Sequence, residues 1–143
     1  MPLIQSVITA PATVERTWQA INVSQAVGDM EFGSCQLIDE TTDERWVARQ
    51  GEPSDWPIYI PYGHLIGASF LCANSGDVPL DVFVYIELID PEGIVRASAW
   101  NPRGTIPIRL SPGVNYNSEY IGGVQLDKIG LWLIYGRLEY EVA

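Results

Sequence analysis

Leu80-Asp81-Val82-Phe83-Val84-Tyr85-Ile86-Glu87-Leu88-Ile89-Asp90-Pro91-Glu92-Gly93 is the stretch whose reading decides the fold. In an extended chain Val82, Val84, Ile86 and Leu88 fall on one side, while Phe83, Tyr85 and Ile89 fall on the other. Asp90-Pro91-Glu92-Gly93 then has the composition of a type I turn. A strand that is apolar on both faces belongs in the middle of a sheet, with material packed on each side. The run is therefore expected to be a central strand covered on both faces.

Working outward, His64 to Ala73 places Ile66, Ala68, Phe70 and Cys72 on one face, and Asn74-Ser75-Gly76-Asp77 turns the chain into the central run. The two most apolar strands are thus expected to be neighbours. Glu31 to Ile38 alternates with Phe32, Ser34, Gln36 and Ile38 opposite Gly33, Cys35 and Leu37, and the polar string Asp39 to Glu44 reads as an exposed turn. Leu3 to Ala10 and Arg16 to Val27 read as further strands, Gly51 to Pro57 as an irregular loop, and Ile58 to Ile60 as a short extended piece. Beyond the central run come Ile94 to Trp100, Thr105 to Leu110, and a polar Tyr-bearing region from Asn115 to Gln125. Pro107 has no N–H to give to a ladder, which marks its strand as an edge or a bulged one. The closing run, Gly130 to Val142, sets Trp132, Ile134, Leu138, Tyr140 and Val142 on one face with Gly136 between them, while the other changes from Leu131, Leu133 and Tyr135 to Arg137, Glu139 and Glu141.

Short strands, turn signals every eight to twelve residues and no helical periodicity predict an all-β fold: an antiparallel β-sandwich of immunoglobulin-like or jelly-roll topology. The 143 residues are the size of one domain, and no low-complexity linker divides them. Residues 1–60 are expected either to add strands to that domain or to form an arm between subunits.

The net charge of -10 arises from 18 acidic against 8 basic residues, nine of the acids lying in the first sixty positions and nine after. A field of that sign repels nucleic-acid phosphates and anionic lipid headgroups, so no direct nucleic-acid partner is expected. No apolar run approaches the ~20 residues of a membrane span, so no membrane insertion is expected. The amino terminus lacks the basic start and apolar core of a signal peptide, the pattern of a chain made and kept in the cytoplasm or of a mature exported one. Cys35 and Cys72 fall inside strand-like runs and are expected to be buried free thiols, a disulfide between neighbouring strands being the alternative.

From His64 to Tyr140 the cadence is strand, Asn74-Ser75-Gly76, strand, Asp90-Pro91-Glu92-Gly93, strand, Leu110-Ser111-Pro112-Gly113, strand, then Leu126-Asp127-Lys128-Ile129-Gly130-Leu131-Trp132 leading the last strand. This block resembles the immunoglobulin-like adhesion and accessory modules of bacterial, archaeal or viral surface proteins. The resemblance implies that these stretches are hairpin and inter-sheet turns and that the final aromatic packs between sheets. Antibody-type domains differ, since neither cysteine is preceded by a Tyr-x-Cys arrangement.

Chemistry-bearing residues are sparse. His64 is the single histidine, which leaves no three-histidine metal set, and neither Ser69 nor Ser111 has a nucleophile-elbow context. Glu139 and Glu141 share a strand face at a spacing that a glycosidase pair could use, but read more simply as the solvent face of the last strand. The acidic string Asp39 to Glu44 lacks the Gly and ligand periodicity of a calcium loop. No catalytic, cofactor or metal residue is assigned, and the chain is expected not to be an enzyme.

The aromatics are the strongest functional signal. Trp56, Tyr59 and Tyr62 flank a Pro-rich loop where flat rings could stack on a glycan or insert into a protein, and Tyr116 and Tyr120 form a second candidate contact surface. The leading expectation is a structural or interaction protein that docks on other protein subunits, a homo-oligomer and a virion decoration or minor capsid component being its concrete form. The alternative is a carbohydrate-binding module. Virion or extracellular surface is the expected location, with the cytoplasm as the alternative.

Overall fold

The computed structural model describes residues 3–4, 17–20, 29–49 and 56–143. Twelve strands follow one another among them: β1 (Leu3–Ile4), β2 (Thr17–Ala20), β3 (Met30–Asp39), β4 (Glu44–Arg49), β5 (Ile60–Pro61), β6 (Leu65–Asn74), β7 (Leu80–Ile89), β8 (Val95–Asn101), β9 (Ile108–Leu110), β10 (Asn115–Asn117), β11 (Ile121–Gln125) and β12 (Leu133–Val142). They form two five-stranded sheets and a small β1–β5 pair, with no helix among the described residues. The first sheet runs β10–β6–β3–β4, with β11 also on β6, and the second runs β2–β12–β7–β8, with β9 also on β7. Every pairing is antiparallel except β2 with β12, which is parallel. The architecture is that of an all-β sandwich. The remainders of the strands expected over residues 3–10 and 16–27, and most of the loop at 51–57, lie outside the described residues.

The central run behaves as its alternation predicts on one side only. Val82, Val84, Ile86 and Leu88 are fully buried, and β7 sits in the middle of its sheet between β12 on one side and β8 with β9 on the other. Phe83, Tyr85 and Ile89 are only half-buried, so the second face is not covered as fully as expected. The reason is visible in the same strand: Asp81 and Glu87 share the parity of Phe83 and Tyr85, and two carboxylates on a face favour water over a second apolar layer. Leu133 and Tyr135 of β12 are half-buried as well.

The two most apolar strands are not paired. β6 lies in the first sheet and β7 in the second, and the turn between them crosses from one layer to the other. Asn74, fully buried, organises the crossing: its side-chain amide donates to Val78 O at 2.8 Å and Leu110 O at 3.0 Å, while its Oδ1 accepts the Gly76 N–H at 3.0 Å. Phe32 and Phe70 meet edge to face at 5.1 Å and fill the space left by Gly136 of β12.

In β3 the alternation changes phase. The pairing with β6 slips between Phe32 and Cys35, so Phe32, Cys35 and Leu37 are all buried, where strict alternation put Phe32 opposite the other two. Cys35 and Cys72 are buried free thiols, and desolvation raises the pKa of Cys35 and pushes that of Cys72 up to about 12. β9 begins just after Pro107 and pairs only with β7, the edge placement its proline implies. Trp132 is fully buried, with its indole N–H donating to Lys128 O at 3.0 Å.

Candidate functional site

The aromatics singled out from sequence occupy different environments. Ile58 and Ile60 are buried, and strand alternation sends Tyr59 between them outward, 54% exposed. Tyr62 is exposed, whereas Trp56 is half-buried and packs against the core. Tyr116 also packs against the core, and its hydroxyl donates to Asn101 Oδ1 at 2.8 Å. Tyr120 is exposed, but its ring lies over Gly67 of β6 and its hydroxyl donates to Glu40 Oε2 at 2.5 Å. Glu40 Oε1 accepts the Gly123 N–H at 2.8 Å, so this tyrosine clamps β11 to the β3–β4 turn.

His64 stands at the start of β6 with Nδ1 2.8 Å from Asp39 Oδ2. Asp39 is buried, and its Oδ1 accepts the N–H groups of Thr41 and Thr42 at 3.0 and 3.3 Å. The Thr41 hydroxyl accepts the Leu65 N–H at 2.9 Å. This arrangement ties the polar β3–β4 turn to β6 and commits the Asp39 carboxylate to the turn and the imidazole.

A second polar cluster closes the end of the sandwich between the β7–β8 turn and the segment before β12. Buried Asp90 accepts the Glu92 and Ile94 N–H groups through Oδ1 at 2.8 and 3.0 Å, and meets Lys128 Nζ at 2.8 Å through Oδ2. Burial alone would raise the Asp90 pKa, but Lys128 and the two backbone donors outweigh it and lower it to about 2. Arg96 pairs with Asp127 through two nitrogens at 2.7 and 2.8 Å, and its guanidinium carbon stands 5.2 Å from the Trp132 ring centroid. These charges hold a turn in place.

The outer face of the second sheet is different. Register places Phe83 opposite Glu139, Tyr85 opposite both Arg137 and Trp100, and Glu87 opposite Tyr135. Trp100 lies 4.6 Å from the Tyr85 ring and 6.3 Å from that of Phe83, perpendicular to the latter. Tyr85 donates its hydroxyl to Glu87 Oε2 at 2.6 Å, and desolvation together with that carboxylate pushes the phenol pKa up. Arg137 Nη2 stands 2.8 Å from Glu139 Oε1, while the buried Arg137 Nε has no hydrogen-bond partner.

On this face lies an open cavity of about 400 Å³, lined among the described residues by Phe83, Trp100, Gly104, Thr105 and Glu139. Gly104 and Thr105 belong to the β8–β9 connection, which Arg103 pins through its ion pair with Glu119. Two aromatic rings, the Glu139 carboxylate and the Thr105 side chain thus meet at one opening. No protein-family model, curated protein or solved structure matches this chain.

Phe83, Tyr85 and Trp100 do not stand out in the sequence as exposed aromatics, because they sit inside regular strands and the second face of β7 reads as covered. The parity of Asp81 and Glu87 was the available signal. Glu139 was read as a solvent-facing residue, and the structure sets it beside the aromatic floor.

Proposed function

We propose that this chain is a non-enzymatic interaction module that docks on another protein subunit through the outer face of its second sheet, as a component of a larger protein assembly such as a virion surface. The observation that carries the reading is the contiguous set of half-buried rings, Phe83, Tyr85 and Trp100, bordered by Glu87, Arg137 and Glu139 on a rigid sheet. Rigid aromatics bordered by polar groups supply contact area with little ordering cost, which is the usual composition of binding hot spots. The paired strands beneath them hold the geometry before the partner arrives, and preorganisation reduces the cost of association.

The test is fractionation with light scattering of the full chain together with the protein assemblies of its native source. The reading expects the chain to migrate with a high-mass assembly, and Trp100→Ala with Tyr85→Ala to release it while the thermal melt stays cooperative. A chain found only at monomer mass, or released by Tyr59→Ala and Tyr62→Ala but not by the Trp100 variant, contradicts it.

A further inference from the structure

The cavity over Phe83 and Trp100 has a chemistry more specific than an apolar docking patch. We propose that it receives the positively charged end of an arginine or lysine side chain presented by the docking partner. This rests on the docking reading above and names what the partner places there.

Three observations lead to it. The first is the arrangement of the rings: Phe83 and Trp100 stand at 90° to each other with centroids 6.3 Å apart, so the cavity has two aromatic walls of different orientation. Aromatic faces are the negative pole of the ring quadrupole, and an indole face attracts a cation most strongly. The second is Glu139, whose carboxylate lines the same cavity; its Oε1 is paired with Arg137 Nη2 at 2.8 Å, which fixes the group and offsets part of its charge. A carboxylate beside two rings favours a cation over a neutral group of the same shape.

The third is the field around the cavity. Outward positions of β7 and β12 carry Asp81, Glu87, Glu139 and Glu141, against Arg137 on β12 and Arg109 on β9. Asp81 is paired with Arg109 and Glu139 with Arg137, so the charge of -2 left among these groups is that of Glu87 and Glu141, on a chain whose net charge is -10. That charge repels a second copy of this acidic chain and draws a basic partner. The cavity volume of about 400 Å³ lies within the range of small-ligand sites, so a whole guanidinium with its stem can enter.

The experiment is a titration of the ¹⁵N-labelled full chain, following the Trp100 indole N–H assigned with Trp100→Phe. The probes are an acetyl-Gly-Arg-Gly-amide peptide, the same peptide with citrulline replacing arginine, and the neutral disaccharide cellobiose. The proposal expects saturable shifts with the arginine peptide, affinity for citrulline lower by about fivefold or more, and a similar loss in Glu139→Gln. Added salt should weaken the arginine peptide and leave any citrulline binding unchanged. Glu139→Gln keeps the size of the side chain at a half-buried strand position, so a lost response reads the charge and not the fold.

No saturable shift with arginine, equal affinity for citrulline, or a response to cellobiose with the arginine peptide inert each overturns the proposal. The two readings fail separately. An inert arginine peptide, with Trp100→Ala still releasing the chain from its assembly, removes the cation site and leaves docking in place. A chain that responds to arginine but is not released by Trp100→Ala removes the docking reading.

Discussion

Phe32 of β3 rests against Gly136 of β12 across the two sheets, so closely that a Cβ on the glycine would lie 2.8 Å from the Phe32 ring and 3.0 Å from that of Phe70. Gly136 is a buried strand position where a side chain would ordinarily help. Alanine at a strand glycine gains roughly 0.5–1 kcal/mol of backbone entropy, while overpacking a filled core costs about 1–3 kcal/mol. Overpacking wins, and Gly136→Ala is expected to lose about 1–2 kcal/mol in urea unfolding. Phe32→Leu in the same chain should recover part of that loss, since the two side chains compete for one space. A neutral or stabilising Gly136→Ala would mean the sheets are spaced more widely than described.

Asn74 is expected to be among the least replaceable polar residues. Asn74→Ala leaves the Val78 and Leu110 carbonyls and the Gly76 N–H without their partner where the chain crosses between sheets. The cost should be about 2–3 kcal/mol by denaturant titration, because unmet buried groups keep their full desolvation penalty. A loss below about 0.5 kcal/mol would show that water replaces the amide without penalty.

Tyr120 and Gly67 should behave as one unit. Tyr120→Phe removes the bond to Glu40 and is expected to cost about 1 kcal/mol. Gly67→Ala places a methyl where the ring lies and displaces the same hydroxyl. In the Gly67→Ala background, Tyr120→Phe should therefore cost close to nothing. Additive costs in a double-mutant cycle would disprove the clamp.

Asp90 carries a pH signature. Its pKa falls from 3.8 in the unfolded reference to about 2 in the fold, so its contribution is fully present above about pH 4 and is lost as the pH drops toward 2. The advantage of the wild-type chain over Asp90→Asn, at most about 2 kcal/mol near neutrality, should shrink steadily between pH 5 and pH 2.5. Urea midpoints of the two proteins across that range check it. A difference that stays constant with pH would assign the effect to packing.

The parts of the fold legible from sequence were those set by local alternation. β6, β7 and β12 each bury one parity, and the residues assigned to the inner face of each are in the core except Val142, which is exposed at the end of β12. Alternation failed at β3 because the extra residue of a bulge between Phe32 and Cys35 shifts the phase, and no turn residue announces it except Gly33. It also could not tell pairing from facing: β6 and β7 bury complementary surfaces whether they lie side by side or across the core, and the Asn74 side chain that settles the matter acts on Leu110, 36 positions away. The candidate site was hidden for a related reason. Phe83 and Tyr85 read as a second buried face, and only the neighbouring β8 and β12 show that the face is bordered by Trp100, Arg137 and Glu139. Tyr120, by contrast, was visible as an aromatic in a polar strand, but its attachment to Glu40 joins residues 80 positions apart.

The claim on which the functional account turns is that contact is made through the outer face of the second sheet. Hydroxyl-radical footprinting of the full chain, free and in its native assembly, tests it most directly. We expect Phe83, Tyr85 and Trp100 to lose reactivity on assembly while Tyr59 and Tyr62 keep theirs. Protection of Tyr59 and Tyr62 with Phe83, Tyr85 and Trp100 unchanged would contradict the account.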